Sequence, residues 1–207
     1  MSEGHTGWIA RSILAVLIAV SCSAKPSGDD KTNGVSEPVV LPKLRKLEFG
    51  RDFVLTDQNG ASFDSATLRG DLIFLFFGYT TCPDACPMTL SKLARVNALL
   101  GDDGQHVRTV YVSVDPERDT VDTMREYLSY YTLSVVGLTG SAEEIKSVAA
   151  DFGVYYSKSE EETAVGYLVD HTTLVYVIDQ EGTLRYLSHP EDSSELLAGV
   201  ARKILAE

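Results

Sequence analysis

The feature that most restricts this chain is the unbroken apolar run Leu72-Ile-Phe-Leu-Phe-Phe77, closed by Gly78 and followed at once by a pair of cysteines. Six consecutive apolar residues are too few for a buried helix and suit a strand covered on both faces, as at the centre of a parallel sheet. Downstream, Leu90, Leu93, Val96 and Leu100 repeat at helical spacing, and Val107 to Val114 reads as a second buried strand. Strand, helix and strand in that order make a crossover unit, so the chain is committed to an α/β architecture.

The remaining elements fit around that unit. Phe53-Val-Leu55 and Ala61-Ser-Phe63 flank Asp57-Gln-Asn-Gly60, an N-terminal β-hairpin signal. Thr120 opens a helix with Val121, Met124, Leu128 and Tyr131 on one face, and Val135 to Leu138 follows as a short strand. Ser141 to Glu144 matches a capping box and leads a helix through Ile145, Val148, Ala149 and Phe152. Thr172 to Ile178 and Leu184 to Leu187, joined by a turn at Glu181-Gly182, read as a terminal hairpin, and Leu196, Leu197, Val200, Ile204 and Leu205 mark a closing helix. The expected fold is therefore a mixed sheet with helices on both faces.

The first 47 residues have a different character. Arg11 precedes the apolar run Ser12 to Val20, and then come Ser21 and Cys22. About nine apolar residues fall short of a membrane-spanning helix and suit a signal-peptide core. The segment 1–22 resembles a bacterial lipoprotein signal, with Cys22 as the lipidated residue, although Ala19 departs from that pattern; an uncleaved anchor reaching back to Trp8 is the alternative. Either way the membrane is a partner and the folded domain faces the periplasm or another extracytoplasmic side. Residues 23–47, rich in Ser, Gly, Pro and charge, read as a flexible tether, which leaves 48–207 as one domain. The net charge of −12 repels phosphate backbones and argues against a nucleic-acid partner.

Candidate chemistry concentrates at Gly78-Tyr-Thr-Thr-Cys82-Pro-Asp-Ala-Cys86-Pro-Met-Thr89, at the carboxyl end of the central strand. Each cysteine precedes a proline, which disfavours helical backbone angles at both. Pro87 is then expected at the first helical position and Cys86 at the cap, where unpaired N–H groups and the helix dipole would lower its pKa. Thiolates here suit a soft metal or disulfide exchange. A permanent disulfide would close too short a loop to stabilise the chain much. The pair alone does not separate these readings. Among the four histidines, His5 lies in the signal region and His106 and His189 in polar turns, whereas His171 sits at the rim of the sheet, before the strand Thr172 to Ile178.

At this point the sequence resembles the Sco/SenC family of copper proteins. The matching segments are Phe77 to Leu90, Val112-Ser-Val-Asp-Pro-Glu-Arg-Asp-Thr120, and Val169-Asp-His-Thr172 with the strand ending at Ile178-Asp179. The resemblance implies a thioredoxin-like fold and carries copper ligands onto Cys82, Cys86 and His171. Two soft sulfurs and an imidazole suit Cu(I) and can also hold Cu(II), whereas zinc would normally want a fourth ligand. Asp170 and Asp115 are candidates for a supporting role around the ligands, although neighbours on a strand point opposite ways. Met88 stands where the family usually has a small polar residue, and a packed side chain is expected there rather than an accessory ligand. The family further implies a copper chaperone serving the binuclear copper site of cytochrome c oxidase subunit II. A thiol-disulfide oxidoreductase acting on the same target cysteines, or one of broader range, is the alternative. The absence of proline between Pro116 and Pro190 favours metal binding, because disulfide oxidoreductases of this fold place a proline opposite their cysteines.

Overall fold

The structure is a computed structural model that describes residues 39–163 and 166–207. The signal segment 1–22 with Cys22, and the tether up to residue 38, lie outside the described residues. The elements are β1 (Val54–Asp57), β2 (Ser62–Asp64), β3 (Leu72–Gly78), α1 (Ala85–Leu100), β4 (Val107–Ser113), α2 (Val121–Ser129), β5 (Val135–Thr139) and α3 (Ala142–Asp151). They continue with β6 (Tyr156–Thr163), β7 (Gly166–His171), β8 (Val175–Ile178), β9 (Leu184–Ser188) and α4 (Ser194–Leu205).

Every residue of β3 is buried, which is why its sequence shows no alternation. It lies at the heart of a seven-stranded sheet of order β2-β1-β5-β4-β3-β8-β9. It pairs parallel with β4, from Leu72 opposite Val107 to Gly78 opposite Ser113, and antiparallel with β8, from Ile73 opposite Ile178. The crossovers from β3 to β4 and from β4 to β5 advance in one direction, so right-handed connections put α1 and α2 on the same face. Side chains agree: Phe76 packs on Tyr111 and Tyr111 on Tyr127 of α2, while Phe77 turns to the opposite face and meets Phe152 at the end of α3. Burying an aromatic of this kind contributes roughly 1.5–3 kcal/mol. The mixed sheet, the N-terminal hairpin and the helices on both faces are as the sequence suggests.

Three boundaries differ. The expected tether does not extend to residue 47, because Leu41, Leu44 and Leu47 pack on the core and Leu47 bridges to Leu184. Helix α1 starts at Ala85, two residues earlier than Pro87, which occupies the third helical position, where a missing N–H still costs no intrahelical bond. The proline penalty on Cys86 is overridden by packing, since Cys86 begins the buried stripe that continues through Leu90, Leu93, Val96 and Leu100. The third difference is larger. Strands β6 and β7 form a separate two-stranded sheet that the sequence did not reveal, and His171 ends β7 rather than preceding a strand that starts at Thr172.

Candidate metal centre

The site is built where β3 stops. Beyond Gly78, the chain turns through Tyr79 to Asp84 and enters α1, and the buried carboxylate of Asp119 fixes that turn. It accepts from the Thr80 backbone N–H at 3.0 Å, from the Thr80 hydroxyl at 2.6 Å and from Ser113 at 2.6 Å. Burial pushes the Asp119 pKa up, against the lowering effect of those donors. Gly78 is required by close approach: a Cβ there would lie 2.7 Å from Cys86 Sγ and 2.9 Å from the Tyr111 hydroxyl.

Cys86 is fully buried, and Cys82 is half-buried; both are free thiols. Their acidities are opposite to the expectation that the helix terminus favours the Cys86 thiolate. The Cys86 thiol donates to the Cys82 sulfur, which holds Cys82 far below the ordinary thiol range and pushes Cys86 well above it. Cys82 also accepts from the backbone N–H groups of Asp84 and Cys86. Asp84 makes no side-chain cap, so the sulfur of Cys82 occupies the place of a capping oxygen at the positive end of α1.

Alternation along β7 turns Tyr167, Val169 and His171 inward and leaves Asp170 exposed. His171 Nε2 lies 3.6 Å from Cys86 Sγ. Nδ1 is 2.9 Å from the Thr172 carbonyl oxygen, which can only accept, so Nδ1 carries a proton and Nε2 is the ring atom that faces the sulfurs. The edges of Phe76 and Tyr79 wall the imidazole. Cys82, Cys86 and His171 place their donor atoms within 4.8 Å of one another, the one such group among the described residues. Two sulfurs and a ring nitrogen at that spacing can close on one soft metal ion, or the sulfurs can close on each other.

The supporting residues fall out differently from the sequence reading. Asp170 does not orient His171, whose Nδ1 is taken by Thr172. Asp115 is buried and bonded to Arg118 and, at 2.7 Å, to the Tyr167 hydroxyl, so it ties down the hairpin rather than touching the ligands. Met88 is 65% exposed instead of packed, and lines a surface groove with Ala85, Thr173 and Pro190. His106 and His189 are exposed and belong to no group of metal donors among the described residues. Asp119, Tyr79 and Arg118 were not singled out in the sequence; Asp119 and Arg118 fall in the Val112 to Thr120 motif, which offered the signal.

The profile of the SCO1/SenC family matches residues 42–206. This chain belongs to that family. A SCO2-like protein of Rickettsia felis is 36% identical over 160 residues, covering 74% of this chain and 77% of that protein. The copper-bound ScoI of Bradyrhizobium japonicum superposes with a TM-score of 0.69 at 37% identity, covering 76% of this chain and 99% of that one. The copper-bound ScoI of Arabidopsis thaliana gives 0.72 at 39% identity, over 77% and 99% of the two chains. The fold is therefore the thioredoxin-like one of the SCO1/SenC structures.

Proposed function

We propose that this protein is a copper chaperone in which Cys82, Cys86 and His171 hold one copper ion as cargo for the binuclear site of cytochrome c oxidase subunit II. The observation that carries the reading is the convergence of two sulfurs and an imidazole, held at Nδ1 by the Thr172 carbonyl, with donor atoms within 4.8 Å of one another. The donor set fits copper: the thiolates favour Cu(I), and the imidazole extends the set to Cu(II). The pinned Nδ1–H keeps Nε2 available, as outer partners of metal-binding histidines usually do. Copper-bound relatives of the same fold support the choice of metal. Cys22 and the apolar run before it hold the domain at the outer face of a membrane in this proposal; among the described residues no helix is long and apolar enough to cross one. Titration of the full-length protein in detergent micelles should yield one copper per chain, with transfer to a subunit II fragment. A protein with reduced thiols that takes up no copper would end this reading.

The split acidity of the thiols supports a second one, a thiol-disulfide reductase. The Cys82 thiolate would attack a target disulfide to form a mixed disulfide, and Cys86, losing its proton, would displace the target sulfur. The target leaves as a dithiol and the pair as a disulfide. Reduction of a subunit II disulfide in rigorously copper-free buffer, abolished by Cys82→Ser, would establish it.

A further inference from the structure

The hairpin that carries His171 pairs only β6 with β7, apart from the seven-stranded sheet. Something other than a continuous ladder must hold the imidazole over the sulfurs. The side chains that do so converge on Arg118. Its Nη1 donates to the Tyr167 carbonyl at 2.9 Å, and its guanidinium lies 3.7 Å from the Tyr167 ring centroid and 5.6 Å from that of Tyr79. On its other side Arg118 is ion-paired with the buried Asp115, which also accepts from the Tyr167 hydroxyl.

Two routes lead from this guanidinium to the imidazole. One runs along β7, where Tyr167 and His171 share the inward face with Val169 between them. The other passes through Tyr79, whose ring stands edge-on to His171 at 5.7 Å and whose hydroxyl is bonded to the Val169 backbone. Lys158 adds a bond to Glu117 at 2.5 Å, but both partners are largely exposed. Exposed pairs of this kind contribute little. Arg118 is the one cation here that is mostly shielded, stacked and bonded at once.

We propose that Arg118 is a positioning residue for the third ligand: by clamping Tyr167 and Tyr79 it sets where His171 stands relative to Cys82 and Cys86. The inference rests on the copper reading given above. A simple charge effect predicts the reverse outcome, because removing a cation from the neighbourhood would strengthen binding of another cation. The clamp predicts weaker binding, selectively for the oxidation state that needs the imidazole.

The test compares the parent with Arg118→Gln, Arg118→Lys and His171→Ala, each full-length and reduced. Arg118→Gln should lower Cu(II) affinity about 10- to 100-fold, the range seen when an outer partner of a ligand is lost. Cu(I) affinity, set by the sulfurs, should stay near the parent. The electron-spin spectrum of bound Cu(II) should lose its nitrogen coupling while the sulfur-to-copper charge-transfer band persists. Arg118→Lys keeps the charge without the planar fork, so it should behave as Arg118→Gln does. In a His171→Ala background, Arg118→Gln should add nothing. Hydrogen exchange in the copper-free protein should show faster opening of β7 in Arg118→Gln, with β3 unchanged. Parent-like Cu(II) binding by Arg118→Gln or Arg118→Lys, or an equal loss with and without His171, would overturn the clamp. A parent that binds no copper would instead overturn the copper reading, and the exchange experiment would still decide whether Arg118 holds the hairpin.

Discussion

Cys86 and His171 come within 3.6 Å of each other, but they are held by different kinds of structure. Cys86 starts the buried stripe of α1 and rests on Gly78, the last residue of a strand paired on both sides and wholly buried. His171 ends a two-stranded hairpin outside that sheet, kept in place by Arg118, Tyr167 and Tyr79. Sheet hydrogen bonds and close packing fix a position cooperatively, whereas a few side-chain contacts can be undone singly. The Cys86 sulfur thus belongs to the rigid frame and the imidazole to an attachment, with Cys82 in the turn that joins β3 to α1. In the proposed copper reading that division matches the chemistry, because thiolates favour Cu(I) and the imidazole extends the set to Cu(II).

The contrast can be broken most severely at a sulfur. Cys86→Ala should lower Cu(I) affinity by more than the roughly 100-fold that loss of an outer-shell partner costs, whereas His171→Ala should spare Cu(I) and weaken Cu(II). Competition with a Cu(I) chelator and direct Cu(II) titration measure the two arms. Equal losses in both oxidation states for His171→Ala would erase the distinction between frame and attachment.

Next in size is Gly78→Ala, which drives a methyl toward Cys86 Sγ and the Tyr111 hydroxyl. Overpacking of this kind costs about 1–3 kcal/mol, and here the sulfur itself must move. Chemical denaturation should show the loss of stability, with copper affinity falling in both oxidation states. A variant as stable as the parent would mean that the end of β3 is softer than its packing implies.

Asp119 sharpens the comparison through pH. Burial raises its pKa in the folded protein, so the folded chain binds this proton more tightly than the unfolded chain. Its contribution to stability is therefore greatest below the ordinary carboxylate value of 3.8 and declines as pH rises through its folded pKa. Thermal unfolding of Asp119→Asn and parent between pH 4 and pH 7 should show the parent losing ground to the variant as pH rises. A difference independent of pH would contradict the raised value.

The smallest effect belongs to the rim of the attachment. Lys158→Ala removes an ion pair with Glu117 in which both side chains are exposed, and a longer contact of its half-exposed ammonium with the Tyr167 ring at 4.8 Å. Its melting temperature and Cu(II) affinity should match the parent within error, in contrast to Arg118→Gln. A large loss of Cu(II) binding would move the clamp outward from Arg118 to the surface.

The frame was legible in the sequence because burial on two faces writes a continuous apolar run, and helix packing writes a period, so β3, α1, β4 and α4 follow from single-residue patterns. The attachment was not. Tyr156 to Thr163 reads Tyr-Ser-Lys-Ser-Glu-Glu-Glu-Thr, with no apolar alternation to betray a strand, since its partner is another hairpin arm and not the core sheet. Its return arm did carry a signal, in the inward alternation of Tyr167, Val169 and His171, but three positions are too few to stand out. The family motifs named Cys82, Cys86 and His171 from the sequence, and sequence distance could not say how they meet. Which sulfur keeps its proton, which carbonyl pins the imidazole, and why Asp170 faces away depend on atoms brought together from Gly78, α1, Thr172 and the 115–119 turn. Those are contacts between residues far apart in the chain. Local pattern determines which segments become strands and helices; only the tertiary structure decides the electrostatics and hydrogen bonding of a site assembled across them.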